Sequence, residues 1–145
     1  MLQKRVAVCG ARDFNDAERL FKALDSLRAE FGDFAIVTGG YRYWNREARR
    51  WEGVDYWAEE WAKARHVWYL GLTAESDRGR FSGAVRSARM LDEARPHLLV
   101  AFPGRHATAS MKAEAVQRGI PIWEPLTHPL PVGVGRAPGA VVNQF

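Results

Sequence analysis

The chain has 145 residues, a single cysteine, a formal net charge of +4 and an isoelectric point near 9.6. A length close to that of one ordinary domain allows a core that needs no staple, and one cysteine excludes a disulfide framework. No apolar run approaches membrane-spanning length and the N-terminus lacks a signal-peptide pattern, so a soluble, cytoplasmic protein is expected; the mild positive charge suits phosphate-bearing partners without requiring them.

Residues 6–14 (VAVCGARDF) are the stretch around which the chain is organised. The apolar run from Val6 to Cys9 stops at Gly10, shows Arg12 and Asp13, and leads into a helical pattern, which predicts a strand, a tight turn and a helix start. Cys9 lies inside that run and reads as a small core residue rather than a nucleophile. Asn15 with Glu18 resembles a capping box, and Leu20, Leu24, Leu27 and Phe31 recur at helical spacing until Gly32. Residues 34–38 (FAIVT) are a second buried-type strand that ends in Gly39 and Gly40.

Residues 41–52 (YRYWNREARRWE) are dense in arginine and aromatics, with Arg42, Arg46, Arg49 and Arg50 beside Trp44 and Trp51. A helix follows, its apolar stripe formed by Val54, Trp57, Ala58, Trp61 and Ala62, so Trp57 and Trp61 read as core filler. Residues 67–72 predict a third strand, 73–82 a polar loop, and Gly83 the start of a helix with Ala84, Ala88 and Leu91 inward and Arg86 and Arg89 three apart on one face. Pro96 stops that helix. Residues 98–102 predict a fourth strand, whose turn at Pro103 and Gly104 opens a helix carrying Met111, Ala115 and Val116 inward. Residues 120–123 predict a fifth strand, placed at an edge by Pro121.

Strands alternating with helices predict a Rossmann-like three-layer α/β domain with a mainly parallel five-stranded sheet over residues 1–125. Residues 41–52 would be an insertion in it, and residues 126–145, with Pro129, Pro131 and Pro138, a loose C-terminal extension. The carboxyl ends of strands one, two and four would bring together Gly10 with Arg12 and Asp13, Gly39 with Gly40, and Pro103 with Gly104 and Thr108. A glycine at any one strand end can simply be a turn. Three at corresponding positions favour a cradle for phosphate, since helix N-termini add free N–H groups and a positive dipole end.

These motifs in order, with Gly53 and Asp55 before AEEWA, Gly83, Arg86 and Arg89 in the G-x-x-R-x-x-R-M-L stretch, and LLVAFPG before Thr108, resemble the YspA-like branch of the SLOG superfamily. That superfamily comprises Rossmann-like domains related to the cytokinin-activating LOG enzymes and to the DNA-processing protein DprA. The resemblance spans about residues 5–125 and implies a nucleotide or nucleotide-derived ligand, of the ADP-ribose or NAD kind, at the sheet edge. It assigns Gly10, Arg12 and Asp13 to a first ligand loop, Gly39 and Gly40 to a second, Gly83, Arg86 and Arg89 to a helix start facing the ligand, and Pro103, Gly104 and Thr108 to a phosphate-facing turn. The chain departs from that pattern in residues 41–52, in Arg105, His106 and Ala107 where glycines are usual, and in Ser87 beside Arg86.

Three function classes follow. A sensor or sequestering module for the nucleotide ranks first. A LOG-like hydrolase of nucleoside monophosphates ranks second, because Met111 stands where those enzymes carry a glutamate, and a thioether cannot move a proton; only Glu114, one turn further on, could substitute. A DprA-like single-stranded nucleic-acid binder ranks third: alternating rings and guanidinium groups in residues 41–52 suit it, but Glu47 and Glu52 dilute the charge, and a lid over the ligand or a dimer contact is preferred for this segment. Asp13 either pairs with Arg12 or meets a ribose hydroxyl, and Asp55 is the other acid at the edge. His106 reads as a solvated loop residue, while His66, His97 and His128 are too scattered to predict a metal site, and no cofactor beyond the nucleotide-like ligand is expected. A homodimer without membrane association is expected.

Overall fold

The computed structural model describes residues 3–72 and 83–130; the polar loop expected at 73–82 and the prolines at 131 and 138 lie outside them. In chain order the elements are β1 (Lys4–Cys9), α1 (Ala17–Phe31), β2 (Phe34–Thr38), β3 (Tyr43–Asn45), β4 (Arg50–Glu52), α2 (Val54–Ala64), β5 (Tyr69–Gly71), α3 (Gly83–Ala94), β6 (Leu98–Ala101), α4 (His106–Gln117) and β7 (Ile122–Trp123). Five strands pair in the order β5-β2-β1-β6-β7, every pair parallel, and β3 and β4 form a separate antiparallel ribbon. The Rossmann-like α/β arrangement read from the alternation of strands and helices is the one found.

The two-residue side-chain period of the strands divides the core in two. Val6, Val8, Ile36, Leu98 and Val100 face α1 and α2, where Leu20, Leu24, Leu27, Ala58 and Trp61 close over them. Ala7, Cys9, Val37, Leu99 and Ala101 face the other way, against Met90 and Leu91 of α3 and Met111 and Ala115 of α4. Small residues predominate in the β1 and β6 positions on that second face, which lets α3 and α4 lie close to the sheet. β7 takes the edge, with the Pro121 carbonyl accepting from the Leu99 N–H at 2.9 Å.

Several local expectations are corrected. The cap of α1 is Asp16, whose Oδ1 accepts from the Arg19 N–H at 3.2 Å, so the expected Asn15 and Glu18 box is displaced by one residue and Glu18 falls inside the first turn. Val116, expected inward, is 69% exposed, because Thr108, Met111 and Ala115 already define the buried stripe and Val116 lies about 100° round the helix from Ala115. The third strand of the main sheet is shorter than 67–72. Of the two tryptophans read as core filler, Trp61 is fully buried and stacks on Phe34 at 5.7 Å. Trp57 is only partly buried and donates its indole N–H to the Phe14 carbonyl at 3.1 Å.

Candidate functional site

The loop after β1 is anchored on both sides by main-chain bonds. The Ala11 N–H donates to the Pro103 carbonyl at 2.9 Å, while its own carbonyl accepts from Val54 at 3.1 Å, and the Gly53 N–H reaches the Phe14 carbonyl at 2.9 Å. The turns after β1 and β6 and the start of α2 are therefore held together at the carboxyl edge of the sheet. Gly53 has φ +117°, and a Cβ there would collide with the Arg12 carbonyl, so only glycine lets the α2 start pass so near the first loop. At Gly104 a Cβ would overlap the Thr108 hydroxyl and come within 3.1 Å of the Ala11 nitrogen, which fixes the first turn of α4 against the same loop.

Between these turns and α3 lies a cleft with an empty volume of about 820 Å³ counted to its open mouth. Gly10, Gly39, Asp55, Arg86, Arg89 and Thr108 all line it, contributed by β1, β2, α2, α3 and α4 or the turns beside them. The remaining residues expected in the site lie around it. Pro103 and Gly104 line a second hollow with Arg105, Lys112 and Glu124, and Thr108 borders both hollows. Gly40 is outside the lining, its N–H donating to the Thr38 hydroxyl at 3.0 Å. Gly83 begins α3, and neither Arg12 nor Asp13 belongs to the lining. Asp13 faces Arg105 at 3.3 Å, an ion pair across 92 positions of sequence that no local pattern could reveal.

Asp55 is the electrostatic centre of the cleft. It is 9% exposed in the first turn of α2, and its Oδ2 accepts from the Tyr41 N–H at 3.1 Å. Burial pushes its carboxyl up to about 7; the Tyr41 and Gly39 N–H groups pull it down, and the Glu59 carboxylate adds to the rise. Glu59 in turn accepts from the buried Thr38 hydroxyl at 2.7 Å. Across the cleft, Arg86 and Arg89 share a helix face with Glu93, whose carboxylate stands 3.9 Å from Arg89. Cys9 lines the floor, and burial drives its thiol far above the usual range, which favours the protonated form.

Sequence reasoning missed Tyr41 and Glu93. Glu93 follows Arg86 and Arg89 by seven and four residues, so the helical period that paired the arginines already placed it beside them. Of the 41–52 segment, Tyr41 belongs to the lining and residues 42 to 52 do not. Glu114, the substitute acid of the hydrolase reading, is also outside the lining and pairs with Arg118 at 2.7 Å. Among the described residues no three His, Cys, Asp or Glu side chains gather as a metal-ligand set, and no helix is long and apolar enough to cross a membrane.

A parallel sheet covered by helices on both faces, with a cleft outside the carboxyl ends of its strands, defines a Rossmann-like domain. The model of YAcAr, the YspA, cpYpsA-related SLOG family, matches residues 4–51, so the YspA-like resemblance holds over β1, α1, β2 and most of the ribbon. Among solved structures, the molybdenum cofactor binding protein from the phototrophic bacterium Rippkaea orientalis is similar in fold, with a TM-score of 0.61 and 18% identity over 84% of this chain and 76% of that one. A UDP-N-acetylglucosamine 2-epimerase and the UDP-GlcNAc 2-epimerase of Neisseria meningitidis bound to UDP-GlcNAc align at 15% and 13% identity, each with a TM-score of 0.43. This chain spans only 32% and 30% of their lengths. No curated protein matches the sequence.

Proposed function

We propose that the chain binds a nucleotide or nucleotide-derived ligand, of the ADP-ribose or NAD kind, in the cleft at the carboxyl edge of the sheet, as a sensor or sequestering module. The observation that carries this reading is the convergence of Gly10, Gly39, Asp55, Arg86, Arg89 and Thr108 on one cleft from five separate parts of the chain. The lining is mixed: Val8, Leu72, Met90 and Met111 offer apolar surface for a base, with few polar groups to orient it. Asp55 on one wall can hold a hydroxyl or amino donor, and Arg86 and Arg89 on the other can hold an anion. Arg105 caps α4 without a side-chain bond, and Ala107 and Thr108 of the first turn line the cleft, so a phosphoryl group would sit at that helix start.

The match to a SLOG family model supports a small ligand, and a cofactor-binding fold neighbour is a precedent for one. A catalytic role has less support, since Glu114 is engaged with Arg118 and Met111 occupies the lining. We also propose a homodimer, built on the sheet edge at β5, where Trp68 and Leu70 are exposed.

Thermal melting in the presence of ADP-ribose, NAD and the nucleoside monophosphates tests the first reading. At least one compound raises the melting temperature of the wild-type chain, the shift shrinks in Arg86→Ala and Thr108→Ala, and no free base is released. A panel without any shift overturns the ligand reading, and base release would make the protein a hydrolase.

A further inference from the structure

The ribbon of β3 and β4 has two chemically different faces. Its register sets Tyr43 opposite Glu52, Trp44 opposite Trp51 and Asn45 opposite Arg50. On one face Glu52 is buried to 2% exposure and accepts from the Asn45 amide and the Arg50 guanidinium, both at 3.0 Å. Arg50 also lies 5.7 Å over the Trp57 ring, which ties this face to α2. The other face carries Trp44 and Trp51, 44% and 39% exposed, with ring centroids 5.1 Å apart and planes at 69°. Arg42 lies 5.3 Å over Trp51, and the loop joining the strands adds the exposed Arg46 and Arg49.

This segregation changes the charge of the surface. Counted along the sequence, two glutamates offset the arginines. In the fold Glu52 is spent internally on the opposite face against Arg50 and Asn45, leaving Glu47 as the one acid of residues 41–52 that is exposed. The exposed face therefore combines two indole rings with the Arg42 guanidinium, and the exposed Arg46 and Arg49 stand in the loop at its end. Asn45 stiffens the loop that carries two of them, its Oδ1 accepting from the Glu47 and Ala48 N–H groups, both at 3.1 Å.

We propose that this face is a binding platform for single-stranded nucleic acid, separate from the cleft. Aromatic rings that stand free of their own core stack on unpaired bases of any sequence, while guanidinium groups take the phosphates between them. Duplex offers no base faces to the indoles and binds less tightly. The ribbon lies outside the cleft lining, so a strand on it does not compete for the cleft itself.

Fluorescence anisotropy with a labelled oligothymidylate and the matching duplex, on the full chain, tests this. The expected result is micromolar binding of the single strand with quenching of tryptophan emission, and weakening of about tenfold in the double variant Trp44→Ala, Trp51→Ala. Arg42→Gln with Arg46→Gln weakens binding and flattens its salt dependence by about 1.4 units of the log–log slope. Both tryptophans are surface residues, and a melting curve on each variant confirms the fold. Absence of binding, equal affinity for duplex, or a tryptophan variant that binds like wild type would each overturn the proposal. So would sedimentation showing that the tryptophan substitutions split a dimer, because the face would then belong to a second copy of the chain.

Discussion

Asp55 shows how one buried acid couples the cleft to pH. Its carboxyl is pushed from an ordinary 3.8 to about 7 by burial, despite the Tyr41 and Gly39 N–H groups, with Glu59 reinforcing the rise. An acid whose folded value lies above its unfolded value holds more protons folded than unfolded between the two. Its stabilising contribution is complete below about pH 4 and is lost as the pH rises through 7. Asp55→Asn removes that dependence while retaining an oxygen for the Tyr41 N–H. Urea unfolding across pH 4 to 8 should show the variant gaining on wild type through the window and levelling off above it, by an amount on the order of 4 kcal/mol. Parallel pH curves for the two proteins would mean that Asp55 ionises in the fold at an ordinary value. The residue itself was visible in the sequence as an acid near the edge. Its burial was not, because that depends on residues 39–41 folding back over the start of α2.

At the scale of elements, periodicity served best where the buried stripe is long. Leu20, Leu24, Leu27 and Phe31 fix α1 without ambiguity, and all four are buried. It failed at helix ends and on short stripes: Asn15 and Asp16 both can cap, and main-chain geometry selects Asp16. Asp16→Ala should therefore lower stability by about 1 kcal/mol and Asn15→Ala by only a few tenths, as read from denaturant midpoints. Equal losses would mean that the cap is shared between them. The ribbon of β3 and β4 was legible only as a composition. Which of its arginines are neutralised is decided by strand register, and a register shifted by one residue would exchange the Trp44 and Trp51 face with the one that holds Glu52.

For the whole molecule, the order β5-β2-β1-β6-β7 is not fixed by the alternation of strands and helices, but the parallel sheet follows from it, and the convergence of distant glycine turns follows from the sheet being parallel. Contacts such as Asp13 with Arg105 do not, since they join surface groups that no core pattern constrains. The same topology leaves β5 at an edge with its outer side unpaired among the described residues. The Trp68 carbonyl and the Leu72 N–H both turn toward β2, meeting Ile36 and Thr38 at 2.8 Å, so by alternation the main-chain groups of Tyr69 and Gly71 turn outward. Trp68 is 76% and Leu70 56% exposed on the face shared with Val37, and residues 67–72 carry no charge of the kind that usually protects an edge strand. A second copy related by a two-fold axis could add its own β5 antiparallel to this one, satisfying both edges and covering both pairs of side chains. Sedimentation velocity at micromolar concentration should then show a dimer, and Leu70→Lys should convert it to monomer with little change in melting behaviour of the isolated fold. A monomer at all concentrations, or a dimer indifferent to Leu70→Lys, would place the subunit contact elsewhere or remove it.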